Sequence, residues 1–256
     1  MNKDKYCEHI LDLVIERGTE VSIKNGDPVP IVFYIGTGRS GSASIMYGLS
    51  ETTAHWHNEK YFSEIYRTDI LIKNSICLYD LVTFIGRKYD FKPLIIESFR
   101  EPVARSISLV GQSMFSGEKI VETYDDYVKE IGSQIEVCEN FIYSLRFRDY
   151  FGVDLLSEFD GRRGYFYKEL DNAKLLLLKC ENSSDWEIIF SSIGYKFADG
   201  RMNNSQDRGY RALYQEVLSR FRMPLIELDA LYGQEAMRVI YTDSEIQEFK
   251  NKWRTR

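Results

Sequence analysis

No apolar run in this sequence approaches the roughly 20 residues that a membrane-spanning helix needs. The four consecutive leucines Leu175–Leu178 are too few and read as part of a core strand. An integral membrane segment is therefore not expected. Cysteine is scarce as well: Cys7, Cys77, Cys138 and Cys180 are the only four in 256 residues, and no two have C-x-x-C spacing. That argues against a metal site and against a disulfide framework, and it fits a reducing compartment. There is no basic excess, since 33 Lys and Arg stand against 39 Asp and Glu, a formal net charge of -6. General affinity for nucleic acid or anionic lipid calls for a basic face, so neither partner is expected. An anionic ligand has to be held by local positive charge. The N-terminal stretch MNKDKYCEHILDLVIERG has charges throughout and the pattern of an amphipathic helix, not of a secretory signal. A cytoplasmic protein is the expectation.

Apolar material is sufficient for a real core, at 44% of the residues, and residues 1–256 read as one domain with no linker. The most visible internal seam is the turn Gly161-Arg162-Arg163-Gly164. Strand and helix patterns alternate, which predicts an α/β fold with a parallel sheet of about four to five strands and helices on both faces. Strands are expected at Ile31–Ile35, Ala54–His57, Leu94–Phe99 and Lys174–Lys179. Helices are expected at Glu8–Arg17, Ala43–Leu49, Ile76–Tyr89, Val103–Met114, Tyr124–Tyr150 and Trp186–Ile193. The final third is nearly all helical, with Arg208–Phe221, Pro224–Leu231 and Asp243–Arg254. Thr242-Asp243-Ser244-Glu245 has the form of a helix start, and Asp185 that of a cap for the Trp186 helix.

The first strand runs directly into Gly36-Thr37-Gly38-Arg39-Ser40-Gly41-Ser42 and then into the helix-compatible Ala43 onward. A strand, a glycine-rich turn and a helix start make an anion cradle, because turn N–H groups converge and the helix adds positive potential. Arg39 places a full positive charge in the same loop. The third strand ends at Arg100-Glu101-Pro102-Val103-Ala104-Arg105-Ser106-Ile107-Ser108. Pro102 suits a first helical position, where its missing N–H costs nothing. Arg105 and Ser108, three apart, then share a helix face. In an open α/β sheet, ligands bind at the C-terminal ends of the strands, the edge at which both segments begin.

These two segments resemble the sulfotransferases that use 3′-phosphoadenosine 5′-phosphosulfate (PAPS). That family pairs a first-strand loop G-x-x-[RK]-[ST]-G-[ST] with a later R-x-P-x-x-R-x-x-S, here Gly36–Ser42 and Arg100–Ser108. The stretch KLLLLKCENSSDWEIIFSSIGYKF resembles the family's later strand, Glu-containing turn and helix. The final third, ending in YTDSEIQEFKNKW, looks like a bacterial branch linked to capsular polysaccharide synthesis. The matched segments cover about a quarter of the chain. The resemblance implies a three-layer, P-loop-NTPase-like fold and a PAPS co-substrate with PAP as product. It implies that Thr37, Gly38, Arg39, Ser40, Gly41, Ser42 and Ala43 hold the 5′-phosphosulfate. Arg100 and Ser108, with Arg105 beside them, are implied to hold the 3′-phosphate. One departure is that the G-x-x-G-x-x-K segment of the small-molecule branch is missing. The polar run Arg201–Arg211 is the best substitute for it.

The first loop stops short of a Walker A motif. Gly36 and Gly41 have its spacing, but Ser42-Ala43 follows where Lys-Ser/Thr is required. That removes the phosphate-binding lysine and the Mg²⁺-binding hydroxyl, so a nucleotide-dependent kinase stands as an alternative and no metal is expected. A non-catalytic PAP- or anion-binding protein is the other alternative. For catalysis Arg39 is expected to stabilise the leaving phosphate, since a guanidinium does not give up its proton. The base that takes the acceptor proton is sought after the second strand. His57 is one candidate, with a working pKa near neutrality, and Glu59 is the other. The aromatic residues Tyr124, Tyr127, Phe141, Tyr143 and Tyr165–Tyr167 either line a sugar cleft or pack against the sheet. The capsule-branch resemblance favours a carbohydrate or glycolipid acceptor and allows peripheral association with envelope-synthesis machinery.

Overall fold

The computed structural model describes residues 3–17, 21–22, 29–35, 41–51, 53–56, 78–138, 150–198 and 211–255. The chain forms two compact units, each assembled from separated segments. One comprises Met1–Phe99 with Phe166–Met202, the other Arg100–Tyr165 with Asn203–Arg256. A boundary therefore falls one residue after the Gly161–Gly164 turn.

The first unit holds the sheet. Its strands are β1 (Val21–Ser22), β2 (Val32–Ile35), β3 (Thr53–Trp56), β4 (Leu94–Phe99), β5 (Tyr165–Glu169) and β6 (Lys174–Lys179). They lie in the order β1-β3-β2-β4-β6-β5. The four inner strands β3, β2, β4 and β6 are mutually parallel, and β1 joins β3 antiparallel. Parallel strands covered on both faces need near-continuous apolar sequence. LIIESF and VFYI are buried at every position, and KLLLLK at all but its first. The two strands that alternation did not reveal lie at the margins. β1 has only two residues, and β5, YFYKE, buries fully only Phe166.

Among the described residues the helices of this unit are α1 (Lys3–Arg17), α2 (Ser42–Gly48), α3 (Leu78–Lys88) and, later in the chain, α7 (Trp186–Ser192). The crossover β2–α2–β3 and the crossover from β3 through α3 to β4 run in opposite directions across the sheet. Right-handed connections then put α2 and α3 on opposite faces, compatible with three layers. A 3₁₀ turn, Cys180–Asp185, joins β6 to α7, so Asp185 precedes that helix without a side-chain capping bond.

The second unit is helical. α4 (Pro102–Phe115) packs on α5 (Tyr124–Cys138), where the Tyr127 hydroxyl donates to the Ile107 carbonyl at 2.7 Å. α6 (Leu155–Glu158), α8 (Arg211–Arg220), α9 (Leu225–Tyr232), α10 (Glu235–Ile240) and α11 (Asp243–Trp253) complete it. Of these, α6 and α10 were not expected from the sequence, being four and six residues long. α11 starts with the full capping box, Thr242 accepting from the Glu245 N–H and Glu245 accepting from the Thr242 N–H. Its C-terminal end is tied back by the Met223 N–H donating to the Trp253 carbonyl at 2.7 Å.

Strand β4 carries two polar residues in its buried run. The Ser98 hydroxyl meets the Tyr34 hydroxyl of β2 at 2.5 Å. Glu97, on the other face, accepts from the Tyr79 hydroxyl of α3 at 3.1 Å and is 2% exposed. Burial pushes its carboxyl up to about 8, with the Tyr79 hydrogen bond pulling the other way. Between the ordinary carboxylate range and pH 8 the folded chain then holds a proton that the unfolded chain has lost. Stability contributed by this group is full below pH 4.5 and falls as pH rises toward 8. Glu97→Gln, which keeps an acceptor for Tyr79, should remove that slope and stabilise the protein at pH 8 by on the order of a few kcal/mol. Urea unfolding at pH 5 and pH 8 measures it; an unchanged slope in the variant would refute the assignment.

Candidate functional site

The sheet order fixes where a site can form. Counting only the inner parallel strands, β2 is first, β3 second, β4 third and β6 fourth, so the order is second-first-third-fourth. The chain leaves β2 toward one side and β4 toward the other. The topological switch point is therefore the crevice at the C-terminal ends of β2 and β4. Register places these ends together: Val32, Phe33 and Tyr34 pair with Leu94, Ile95 and Ile96. The glycine-rich loop follows β2 directly, and Arg100 follows the last residue of β4. β3 is parallel to β2, with His55 in register with Tyr34, so the chain leaves β3 at the same edge.

Of the loop residues, Gly36, Thr37, Gly38, Arg39 and Ser40 lie outside the described residues, as do His57, Glu59 and 201–210 of the polar run. Gly41, Ser42 and Ala43 are described and only partly buried. Gly41 precedes α2 with φ +98°, a left-handed backbone that favours glycine. There is a second reason for glycine here. A Cβ at this position would stand 2.3 Å from Cη2 of Trp186, which no side chain could tolerate without displacing the indole. Among the described residues no side chain caps α2, and its first turn holds no acidic residue. The residues at its start thus suit an anion: backbone donors, a hydroxyl at Ser42, and no acidic side chain within the turn itself.

The second segment is built differently. α4 begins at Pro102, as its sequence predicts, but Glu101 is the cap. Its Oε2 accepts from the Val103 N–H at 2.9 Å and its Oε1 from the Ala104 N–H at 2.8 Å. The Tyr232 hydroxyl of α9 adds a third bond at 2.6 Å and the Trp253 indole N–H of α11 a fourth at 2.9 Å. Glu101 is 2% exposed, and these four donors from described residues meet both oxygens of an enclosed carboxylate. The positive end of α4 is accordingly occupied by the protein's own anion. A phosphate near this segment has to be met by side chains, not by the helix start. Arg100 is half-buried at the end of β4, while Arg105 and Ser108 are buried on α4, 7% and 1% exposed.

Residues that the motifs did not single out crowd the same sheet edge. Lys179 ends β6 in register with Phe99 and is 1% exposed, a buried lysine with further interactions. Trp186 is 2% exposed and donates its indole N–H to the Lys179 carbonyl at 3.2 Å. Neither had a local signal: Lys179 closes an apolar strand, and Trp186 opens a helix between Asp185 and Glu187. Among the aromatic residues considered for an acceptor cleft, Tyr127 is fully buried between α4 and α5, and Tyr124 lies under the Arg220 guanidinium at 4.2 Å. Phe141 and Tyr143 lie outside the described residues.

Among the described residues no cluster of three His, Cys, Asp or Glu could hold a metal ion, and no helix is long and apolar enough to cross a membrane. Comparison with protein families, with curated proteins and with solved structures finds no significant match to this chain.

The Glu101 arrangement makes a stability prediction. Glu101→Ala removes the cap and strands two buried donors, and should cost about 3–5 kcal/mol. Tyr232→Phe deletes one bond and should cost about 1–2 kcal/mol. Combined, the two changes should cost clearly less than their sum in denaturant titrations, because both act on one carboxylate. Strict additivity would show that the network does not act as a unit.

Proposed function

We propose that this chain transfers a sulfuryl group from PAPS to a hydroxyl of a carbohydrate or glycolipid acceptor, a capsular or other cell-surface saccharide. The observation that carries the reading is the strand order. It brings the C-terminal ends of β2 and β4 side by side at the switch point, and from those two ends the G-T-G-R-S-G-S loop and the R-E-P-V-A-R-S-I-S segment depart. Two anion-favouring segments that depart from adjacent strand ends suit a ligand with a phosphosulfate at one end and a phosphate at the other. The absence of a Walker lysine supports PAPS over a nucleoside triphosphate. The reading includes a P-loop-like architecture and a cytoplasmic site of action.

In this mechanism the loop from Thr37 to Ala43 holds the 5′-phosphosulfate, and Arg100 with Ser108 holds the 3′-phosphate, Arg105 reinforcing the charge. The acceptor oxygen attacks sulfur in line. A new S–O bond forms, the bond to the 5′-phosphate breaks, and PAP leaves with the electron pair. Arg39 neutralises the charge that develops on the departing oxygen. The acceptor's proton passes to His57 or, in its place, to Glu59.

Thermal unfolding with PAP, PAPS, ATP and GTP side by side tests the ligand class. PAP at 100 times its dissociation constant should add about 2.7 kcal/mol without Mg²⁺. Stabilisation by Mg-ATP alone would overturn the proposal. Arg39→Ala should lower sulfation of the responsive saccharide, found by screening capsule and lipopolysaccharide fragments, by about 10²–10³-fold. His57→Ala should abolish turnover while PAP affinity holds; near-normal turnover would transfer the base role to Glu59.

A further inference from the structure

We infer that Trp186 is a positioning residue for the proposed anion-binding segment, its indole fixing Gly41 at the entry to α2 and hence where the co-substrate is held. This rests on the reading of that loop as the PAPS site. The argument is geometric. At one end of the indole, Nε1–H is tied to the Lys179 carbonyl at 3.2 Å, on the last residue of β6. At the other end, Cη2 occupies the space that a side chain on residue 41 would need, 2.3 Å from an ideal Cβ. The ring thus spans from the end of β6 to the last glycine of the motif, and it is 2% exposed.

The far end of α2 is held by the same segment of chain. Phe197 meets Trp186 edge-on at 6.4 Å between centroids. A Cβ on Gly48 would lie 2.4 Å from the Phe197 ring. Leu49 and Phe197 form a β-bridge, and the Ala198 N–H donates to the Gly48 carbonyl at 2.8 Å. With seven residues, α2 has too few internal hydrogen bonds to fix its own direction. Its placement is imposed from outside, at Gly41 by Trp186 and at Gly48 by Phe197. An error of about 1 Å in the placement of a reacting group can cost about 10²-fold in rate, so a rigid ring at the loop's exit bears on function as well as packing.

The test is PAP binding to the full-length chain by calorimetry, with wild type, Trp186→Ala, Trp186→Phe and the plain core variant Val82→Ala, a fully buried α3 position. Trp186→Ala should weaken PAP binding by about tenfold or more. Trp186→Phe keeps a ring against Gly41 but loses the N–H, and should recover most of the affinity. Val82→Ala should lose stability and keep affinity within about twofold, which separates positioning from general destabilisation. In wild type carrying 5-fluorotryptophan, the ¹⁹F resonance of Trp186, assigned by its Phe variant, should shift on saturation with PAP. That readout stands even if Trp186→Ala fails to fold. A wild type that binds no PAP overturns the reading of the loop. A wild type that binds PAP while the Trp186 resonance stays put and Trp186→Phe and any folded Trp186→Ala bind like wild type overturns the positioning role alone.

Discussion

The helical unit depends on a single enclosed carboxylate. Taking Glu101 out of water costs several kcal/mol unless its oxygens are fully bonded. Four donors do this, two from the first turn of α4 and one each from α9 and α11. Tyr232 and Trp253 lie 131 and 152 residues from Glu101. Loss of any one donor leaves the others facing a partly desolvated charge, so the C-terminal helices and the start of α4 are stabilised together. Pro102 contributes by what it lacks. Without an N–H at the first helical position, the Glu101 carboxylate is left to bond Val103 and Ala104.

The sheet solves the same problem with neutral partners. Neighbouring residues of β4, Glu97 and Ser98, point to opposite faces, and each is met by a tyrosine hydroxyl, from α3 and from β2. Here the carboxyl is satisfied by one phenol and kept protonated by burial, whereas Glu101 is satisfied by four donors including two at a helix N-terminus. Two glutamates four residues apart thus illustrate two ways of burying a carboxyl group. One removes the charge, and the other surrounds it.

Much of this architecture was legible in the sequence because burial on both faces leaves a strong local pattern. LIIESF and KLLLLK read as strands residue for residue, and the Thr242–Glu245 capping box was visible from four letters. β5 was not legible, because an edge strand such as YFYKE alternates weakly and carries Lys168 and Glu169. The roles of Glu97 and Glu101 were also hidden. A glutamate inside an apolar strand, or between Arg and Pro, has no local mark of burial, and the tyrosines that justify it come from other elements. The candidate site was suggested by motif order alone: the two segments adjoin strands whose pairing only the sheet topology reveals.

That topology also changes what each residue of the glycine loop says about function. Gly41 answers two demands of the fold, its φ of +98° and its contact with Trp186. Both would require glycine whether or not an anion binds, so Gly41 in the motif is weak evidence of a ligand. The start of α4, directly after Arg100, is filled by Glu101. With a net charge of -6 the chain has no general attraction for anions to fall back on. On the proposed reading, anion affinity comes from specific side chains and from the first turn of α2. The proposal then rests on Arg39 and Arg100 and the hydroxyls beside them more than on the glycines and proline, whose presence the steric demands at Gly41 and Pro102 already explain.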